Sequence, residues 1–383
     1  MKIISVVGAR PNFMKIAPFC KALRGCPEVR HILVHTGQHY DVRMSDSFFM
    51  DLDIPMPDVH LNIGSGTHAE QIGRTMIEFE KVVKVEKPDW IVVVGDVNAT
   101  CACSIVAKKE HIRLAHIEAG LRSGDIDMPE EVNRLVTDRL SDLLLTPDRI
   151  SSANLESEGV SKERICFVGN IMIDTLEAQR GKAASRSVPA LVRREHLEPS
   201  PQLSELPDDT FAVMTMHRPS NVDRREILEP LVNFLTEEVA TDMPLLWPIH
   251  PRAKKQLELF GLWEKVCSKI ILLNPLGYHD MLRLNMGAKI MLTDSGGLQE
   301  ECCVLGTPCL TLRWNTERPV TLREHGGASM LVGNDVRKIR QAYQEALVTK
   351  RIPQRPELWD GHAAERIVQA ICSSPYSSNT LKP

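Results

Sequence analysis

Trp90-Ile91-Val92-Val93-Val94-Gly95-Asp96 is an unbroken apolar run that ends on a glycine and a carboxylate. Leu114-Ala115-His116-Ile117-Glu118 repeats the pattern and continues Ala119-Gly120-Leu121-Arg122-Ser123-Gly124-Asp125. Apolar runs with little alternation fit parallel strands that are covered by helices on both faces. Glu130 then opens a helical pattern in Met128-Pro129-Glu130-Glu131-Val132-Asn133-Arg134. In open parallel α/β sheets, ligands bind beyond the carboxyl ends of the strands. Asp96, Glu118 and Glu130 are therefore expected to point into one cleft. Carboxylates held together push their pKa values apart, which suits proton chemistry on carbon or oxygen. Any one of the three reads equally well as a helix cap or a surface ion pair. The set of three is what points to a site.

Outward from these runs, strands and helical patterns alternate from the first residues. Ile3–Gly8, His31–Thr36, Trp90–Gly95, Leu114–Glu118, Leu143–Thr146 and Ile165–Gly169 read as strands. Helical periodicity occupies residues 13–24, 68–87, 98–110, 129–141 and 148–159. Residues 181–208, rich in Ser, Pro, Arg and Glu, read as a linker with a short helix. The alternation then resumes, with strands at Phe211–Met216, Leu245–Ile249, Lys269–Leu273, Lys289–Thr293 and Pro308–Leu312. Helices are expected near 223–239, 252–260, 277–287, 296–306 and 335–348. The fold class is α/β, with two Rossmann-like doubly wound domains, residues 1–180 and 209–360, facing a cleft. A last helical stretch within 361–383 is expected to pack back on the first domain.

Composition removes several classes. A length of 383 residues favours two domains over one. A net charge of −4 supplies no basic field, so nucleic acid is not expected as a partner. No apolar run approaches the ~20 residues of a membrane helix. The ten cysteines form no C-x-x-C pair and sit mostly in apolar or helical settings, as reduced thiols do. With a strand beginning at once and no signal-like segment, a cytoplasmic protein is expected.

Several turns suit an anionic ligand. Gly8-Ala9-Arg10-Pro11-Asn12 leaves the first strand, placing Arg10 in the turn and Lys15 on the helix that follows. Both can neutralise a phosphate near a helix N-terminus, or be ordinary surface cations beside a βα turn. Thr293-Asp294-Ser295-Gly296-Gly297 leads from a strand into Leu298-Gln299-Glu300-Glu301. Ser295, Gly296 and Gly297 allow backbone N–H groups to approach a pyrophosphate, and Glu301 lies where it can accept from ribose hydroxyls. The plainer reading is a tight turn that needs glycine. His217-Arg218 and His250-Pro251-Arg252 leave two further strands and suit phosphate binding or leaving-group stabilisation. A structural role for either histidine is the competing reading. Gly64-Ser65-Gly66-Thr67-His68-Ala69 matches a dinucleotide fingerprint only superficially, since it does not close the first strand of a βαβ unit. It reads as a flexible loop. No His cluster has metal-ligand spacing, and no cofactor or metal is expected.

Taken in order, Gly95-Asp96, His116-Ile117-Glu118-Ala119-Gly120-Leu121-Arg122, Pro129-Glu130-Glu131-Val132-Asn133-Arg134, Asp294-Ser295-Gly296-Gly297 and Thr316-Glu317-Arg318-Pro319 form a specific set. The chain resembles the non-hydrolysing UDP-N-acetylglucosamine 2-epimerases over nearly its whole length. The resemblance implies a GT-B type pair of Rossmann-like halves and no redox cofactor. It implies reversible epimerisation at C2 of UDP-GlcNAc to UDP-ManNAc, by anti elimination of UDP to a 2-acetamidoglucal and re-addition. Carried over by position, Asp96, Glu118, Glu130 and His217 are the catalytic residues. Arg10, Lys15, Arg122, His250, Ser295, Gly296, Gly297, Glu301 and Arg318 bind the substrate. A homodimer is implied as well.

Some positions depart from the family pattern. Relatives activated by their own substrate carry an Arg-Gln pair where this chain has Ser65-Gly66. Gln38-His39 is kept but followed by Tyr40-Asp41, so regulation is not carried over. Leu276 replaces a residue that is often polar in the family. His35-Thr36-Gly37-Gln38-His39 and Met128-Pro129-Glu130-Glu131 also resemble the UDP-2,3-diacetamido-glucuronate 2-epimerases, whereas Thr316-Glu317-Arg318-Pro319-Val320 favours the GlcNAc branch. A GT-B glycosyltransferase uses the same kind of cleft, but generally needs one base rather than three clustered carboxylates. A nucleotide-sugar sensor has no use for the acids, and a hydrolysing epimerase differs only in how the glycal is retained.

Overall fold

A computed structural model of the chain describes residues 1–8, 10–37, 52–201 and 210–374, with Arg10 and Pro11 given by their backbone alone. The chain divides into two units, one running to Ala178 and resuming at Pro356, the other spanning Gln179–Arg355. Each is built on one parallel sheet, as expected for a pair of Rossmann-like folds. No helix among the described residues is long and apolar enough to cross a membrane.

The first sheet contains β1 (Lys2–Val7), β2 (Arg30–His35), β3 (Val59–His60), β4 (Trp90–Val94), β5 (Arg113–Ile117), β6 (Leu143–Thr146) and β7 (Ile165–Phe167). Their order is β3-β2-β1-β4-β5-β6-β7, with every pairing parallel. Alternate residues serve opposite faces. Ile4, Val6, Ile91, Val93 and Leu114 pack with Phe79 and Val83 of helix His68–Glu86 and with Cys103 and Val106 of helix Asn98–Lys109. Helix Arg10–Leu23 packs against β1 and against the last described helix, Ala363–Ser373. Asp174 caps that last helix, accepting from the Ala363 and Ala364 amides at 3.0 and 2.7 Å.

The second sheet contains β8 (Ala212–Thr215), β9 (Leu245–Pro248), β10 (Ile271–Leu273), β11 (Ile290–Thr293), β12 (Cys309–Thr311) and β13 (Ser329–Leu331), ordered β10-β9-β8-β11-β12-β13. Met214, Trp247, Ile290 and Leu292 face one core, and Val213, Leu246 and Met291 face the other. In both sheets the winding reverses between the first and fourth strands, β1 and β4 or β8 and β11. The crevice beyond the carboxyl ends at such a reversal is the natural binding position.

Two sequence readings are corrected. Residues 181–201 hold the expected short helix, but as packed structure and not as a linker. Helix Ile171–Ala184 runs into them, and helix Val188–Glu195 buries Val188, Leu191 and Val192 on the second core. Its Ser, Pro and Arg content reflects a capping Ser187, a proline in the first turn and basic residues in the last. The stretch from Gly64 to Thr67 is the expected loop, but a tied one that leads into the expected helix at His68. Thr67 and Glu70 form a reciprocal capping box, and Arg74 donates to the Ile63 and Ser65 carbonyls at 3.1 and 3.3 Å.

The return of the chain to the first unit depends on Gly169. Its φ is +86°, and a Cβ there would lie 2.1 Å from the Leu358 carbonyl oxygen. Gly159 has a similar φ of +82° with nothing within 4 Å of its Cβ position. Gly159→Ala is expected to cost about 1 kcal/mol, the left-handed backbone strain alone. Gly169→Ala is expected to cost at least about 3 kcal/mol by adding a backbone clash. Urea denaturation of both variants measures the difference, and equal losses would contradict the packing.

Candidate active site

In the first unit, the end of β4 is a turn that admits little but glycine. Gly95 has φ +69°, and a Cβ there would lie 3.3 Å from both Asn12 Nδ2 and Lys15 Nζ and 3.5 Å from Glu118 Oε2. Asn12, in the first turn of helix Arg10–Leu23, donates to the Val94 carbonyl at 2.9 Å and accepts from the Gly8 amide at 3.3 Å. This ties the carboxyl ends of β1 and β4 together. One turn on, Lys15 makes a buried ion pair with Glu118 at the end of β5. Glu118 itself has φ +72°, a strained conformation for a residue with a Cβ, held by its N–H bond to the Leu145 carbonyl at 3.1 Å. The ion pair compensates the burial of both charges, and removing either partner would leave the other exposed to the full desolvation cost.

Asp96 stands beside this pair, about a quarter exposed. Arg134 grips its Oδ2 with Nε at 3.0 Å and Nη2 at 2.6 Å, while Asn133 Nδ2 donates to its backbone carbonyl at 2.8 Å. Both partners lie on helix Pro129–Leu140. That helix orders the neighbouring turn as well, because Glu131 accepts from the Ser123 and Gly124 amides and pairs with Arg134. The two adjacent glutamates thus part company. Glu131 is buried in structural contacts, and Glu130 is exposed at the helix start.

Arg122 differs from the expectation of a substrate-binding cation. Its guanidinium holds Glu158 through two bonds of 2.7 and 2.8 Å, Asp138 at 2.7 Å and the Leu121 carbonyl at 2.8 Å. Those bonds close the loop after β5, leaving Arg122 little capacity for a ligand. The Arg10 side chain and Gln38–Asp41 lie outside the described residues.

In the second unit, Asp294 at the end of β11 is fully buried and organises the site around it. Its Oδ2 accepts from the amides of His217 at 2.9 Å and Arg218 at 2.8 Å and from Asn221 Nδ2 at 3.1 Å. Its Oδ1 lies 2.8 Å from His217 Nδ1. Burial works to raise the Asp294 carboxyl, but the His217 bond and charge and the two amides outweigh it and hold it low. With Nδ1 so occupied, His217 presents Nε2 outward from a half-exposed ring. The His250 ring, at the end of neighbouring β9, lies 5.4 Å away between centroids and caps its own helix through the Arg252 amide. Arg252 is committed to Asp223.

Helix Gly296–Leu305 starts directly after Asp294 and Ser295, with no side-chain bond closing its N-terminus. The amides of Gly296 and Gly297 therefore remain for an anion, favoured by the helix dipole. A side chain at Gly296 would press on the ends of Arg318 and Glu317. A Cβ there would come within 2.9 Å of Arg318 Nη1. Arg318 is clamped between Glu300, at 2.7 Å, and Glu317. Gln299 fastens the same segment by bonding Thr316 and Thr321. Glu301 faces inward beside Tyr278 and Asn285, where burial pushes its carboxyl up to about 7 against their pull. Among the described residues, no group of three or more His, Cys, Asp or Glu side chains is arranged to hold a metal ion.

The structure therefore gathers Lys15, Asp96 and Glu118 at one switch point, and His217, His250, Ser295, Gly296, Glu301 and Arg318 around the carboxyl edge of the other sheet. Arg134 and Asp294, which the sequence reading did not select, hold the acids and the histidine in place. Asp294 had a visible signal, as a carboxylate ending an apolar strand like Asp96. Replacing it tests its hold on His217. Asp294→Ala, which orphans two amides and Asn221, is expected to destabilise the protein by about 3–5 kcal/mol at pH 7. Because the Asp294 pKa is depressed in the fold, its contribution is present above ~3.9 and lost as pH falls through the lower folded value. Asp294→Asn should remove that part of the acid dependence, as denaturant melts between pH 3 and 7 would reveal.

The family model described as UDP-N-acetylglucosamine 2-epimerase matches residues 21–372. The chain is 42% identical over 380 residues to the UDP-N-acetylglucosamine 2-epimerase of Methanocaldococcus jannaschii, covering 98% of this chain and 100% of that one. It is 37% identical to the UDP-2,3-diacetamido-2,3-dideoxy-D-glucuronate 2-epimerase of Pseudomonas aeruginosa, over 97% of this chain and 99% of that one. The crystal structure of the M. jannaschii UDP-GlcNAc 2-epimerase in complex with UDP-GlcNAc and UDP superposes with a TM-score of 0.86, at 41% identity, covering 97% of this chain and 99% of that one. With the family model matching residues 21–372 and a relative 42% identical over nearly the full length, the chain belongs to the UDP-N-acetylglucosamine 2-epimerase family.

Proposed function

We propose that the protein interconverts UDP-GlcNAc and UDP-ManNAc without net hydrolysis, by elimination and re-addition of UDP. The observation that carries this reading is the pair Asp96 and Glu118. They end neighbouring strands, and each is fixed by its own buried cation, Arg134 or Lys15.

A carboxylate held by a cation is a weak base, so the order of bond changes matters. Breaking the C1–O bond sends its electron pair to the diphosphate and leaves positive charge at C1. The C2 hydrogen then becomes acidic enough for a weak carboxylate, and the C2–H electrons form the C1=C2 bond of 2-acetamidoglucal. Re-addition protonates C2 on the opposite face while a diphosphate oxygen returns to C1. Two positioned carboxyls match the two proton tasks, with exposed Glu130 in the same set. His217, aligned by Asp294, meets charge developing on the departing diphosphate, with His250 beside it. The Ser295-Gly296-Gly297 helix start binds phosphate, and Arg318 shapes that turn, while Glu301 must leave Tyr278 and Asn285 to accept from ribose.

The 37% identity to the P. aeruginosa protein supports a second reading, the same C2 chemistry on a uronate. A proton NMR time course in D₂O with either sugar nucleotide separates them. UDP-ManNAc with deuterium at C2 is the expected result. Release of free ManNAc and UDP would overturn the non-hydrolysing reading, and turnover of the uronate alone would replace the substrate. Asp96→Asn is expected to lower turnover by roughly 10²–10⁴ while UDP affinity stays within a few-fold.

A further inference from the structure

Behind Asp96 and Glu118 lies a buried pair that touches the turns carrying both. His116 of β5 is fully buried, with Nε2 2.9 Å from the Gly95 carbonyl oxygen and Nδ1 2.6 Å from Asp138 Oδ1. A carbonyl only accepts, so Nε2 carries a hydrogen. The other Asp138 oxygen accepts from the Gly120 amide at 3.0 Å and from Arg122 at 2.7 Å. Burial works to raise the Asp138 carboxyl, but His116 and Arg122 together outweigh it and hold it below the ordinary carboxylate range. Asp138 is then the anion, and the His116 ring bridges it to the Gly95 carbonyl, within bonding distance of both.

These bonds have a geometric consequence. The peptide entering Asp96 is held through the Gly95 carbonyl by His116, and the carbonyl leaving it by Asn133. The strained turn after Glu118 is held through the Gly120 amide by Asp138. Since His116 and Asp138 are bonded to each other, the two turns share one anchor. A shift of about 1 Å in a reacting group can cost 10²-fold in rate.

We propose that His116 and Asp138 are positioning residues for proton transfer, setting the separation of Asp96 and Glu118 without touching the substrate. The inference rests on the epimerase reading given above.

Substitutions separate the two arms. Asn at 116 can reach Asp138 in place of Nδ1 but not Gly95, whereas Gln can reach Gly95 in place of Nε2. His116→Asn is expected to lower kcat about 10²-fold, with UDP Kd within twofold of wild type. The deuterium isotope effect on kcat with C2-deuterated UDP-GlcNAc should rise as proton transfer becomes limiting. His116→Gln should recover at least tenfold of that loss. Asp138→Asn keeps an amide that can bond His116 Nδ1 and an oxygen that can accept from Gly120, so it should stay within tenfold of wild type. All rates are taken per UDP-binding molecule, which removes misfolded protein from the count.

Equal activity of the Asn and Gln variants at 116 would overturn the proposal. So would an unchanged isotope effect in His116→Asn, or a loss in Asp138→Asn as large as in His116→Asn. Wild-type protein that exchanges no C2 hydrogen would overturn the epimerase reading and this inference together. Wild-type exchange beside fully active variants would overturn the positioning role alone.

Discussion

Burial of both faces of a parallel sheet is the constraint from which the site follows. A strand such as β4, apolar on either side and paired along both edges, can place a charge only where it stops. Because all strands in such a sheet point one way, those stops line a single edge. Asp96, Glu118, His217, His250 and Asp294 all stand at or just beyond strand ends, in two sheets that repeat one winding order. The fold thus concentrates its chemistry at two switch points without any special device. What remains is to keep closely spaced charges in fixed geometry.

That task is met by pairing each anion within its own unit. Lys15 compensates Glu118, Arg134 compensates Asp96, and His217 faces Asp294. A lone carboxylate in these surroundings would take up a proton instead of holding a charge. The cations also restrict rotamers, most clearly where Arg134 takes Asp96 by two nitrogens. Stability and preorganisation therefore have a common source here. Glu301 is the contrast. Lacking a cation among its principal neighbours, it is pushed up by burial to about 7 and relies on Tyr278 and Asn285.

The strand ends were legible in the sequence because apolar runs are local signals. The acids at 96 and 118 and the helix start at Ser295 could be read directly from where those runs stop. The short edge strands Val59–His60 and Ser329–Leu331 were not, since two or three residues carry no period. Helix Val188–Glu195, expected only as an unplaced short helix, could not be bounded because a cap, a proline and arginines resemble linker composition. Polar partnerships were hardest. Asp96 and Arg134 are 38 positions apart and His116 and Asp138 are 22, distances over which no sequence pattern assigns partners. The partners of Arg122 were out of reach for the same reason, since Glu158 lies 36 residues on.

The distribution of these networks also bears on specificity. The two relatives with different sugar names share UDP and a C2 stereocentre bearing an acetamido group. They differ at C3 and at the carboxylate that defines a uronate. On the proposed function, the buried charges described here serve the shared part, with proton transfer in one unit and diphosphate binding in the other. Residues committed this way cannot distinguish the two sugars, because each substrate makes the same demand on them. Discrimination must come from side chains outside the ion-paired frame, where a substitution changes a contact without orphaning a buried charge. A frame of this kind permits a change of sugar while the C2 chemistry is kept.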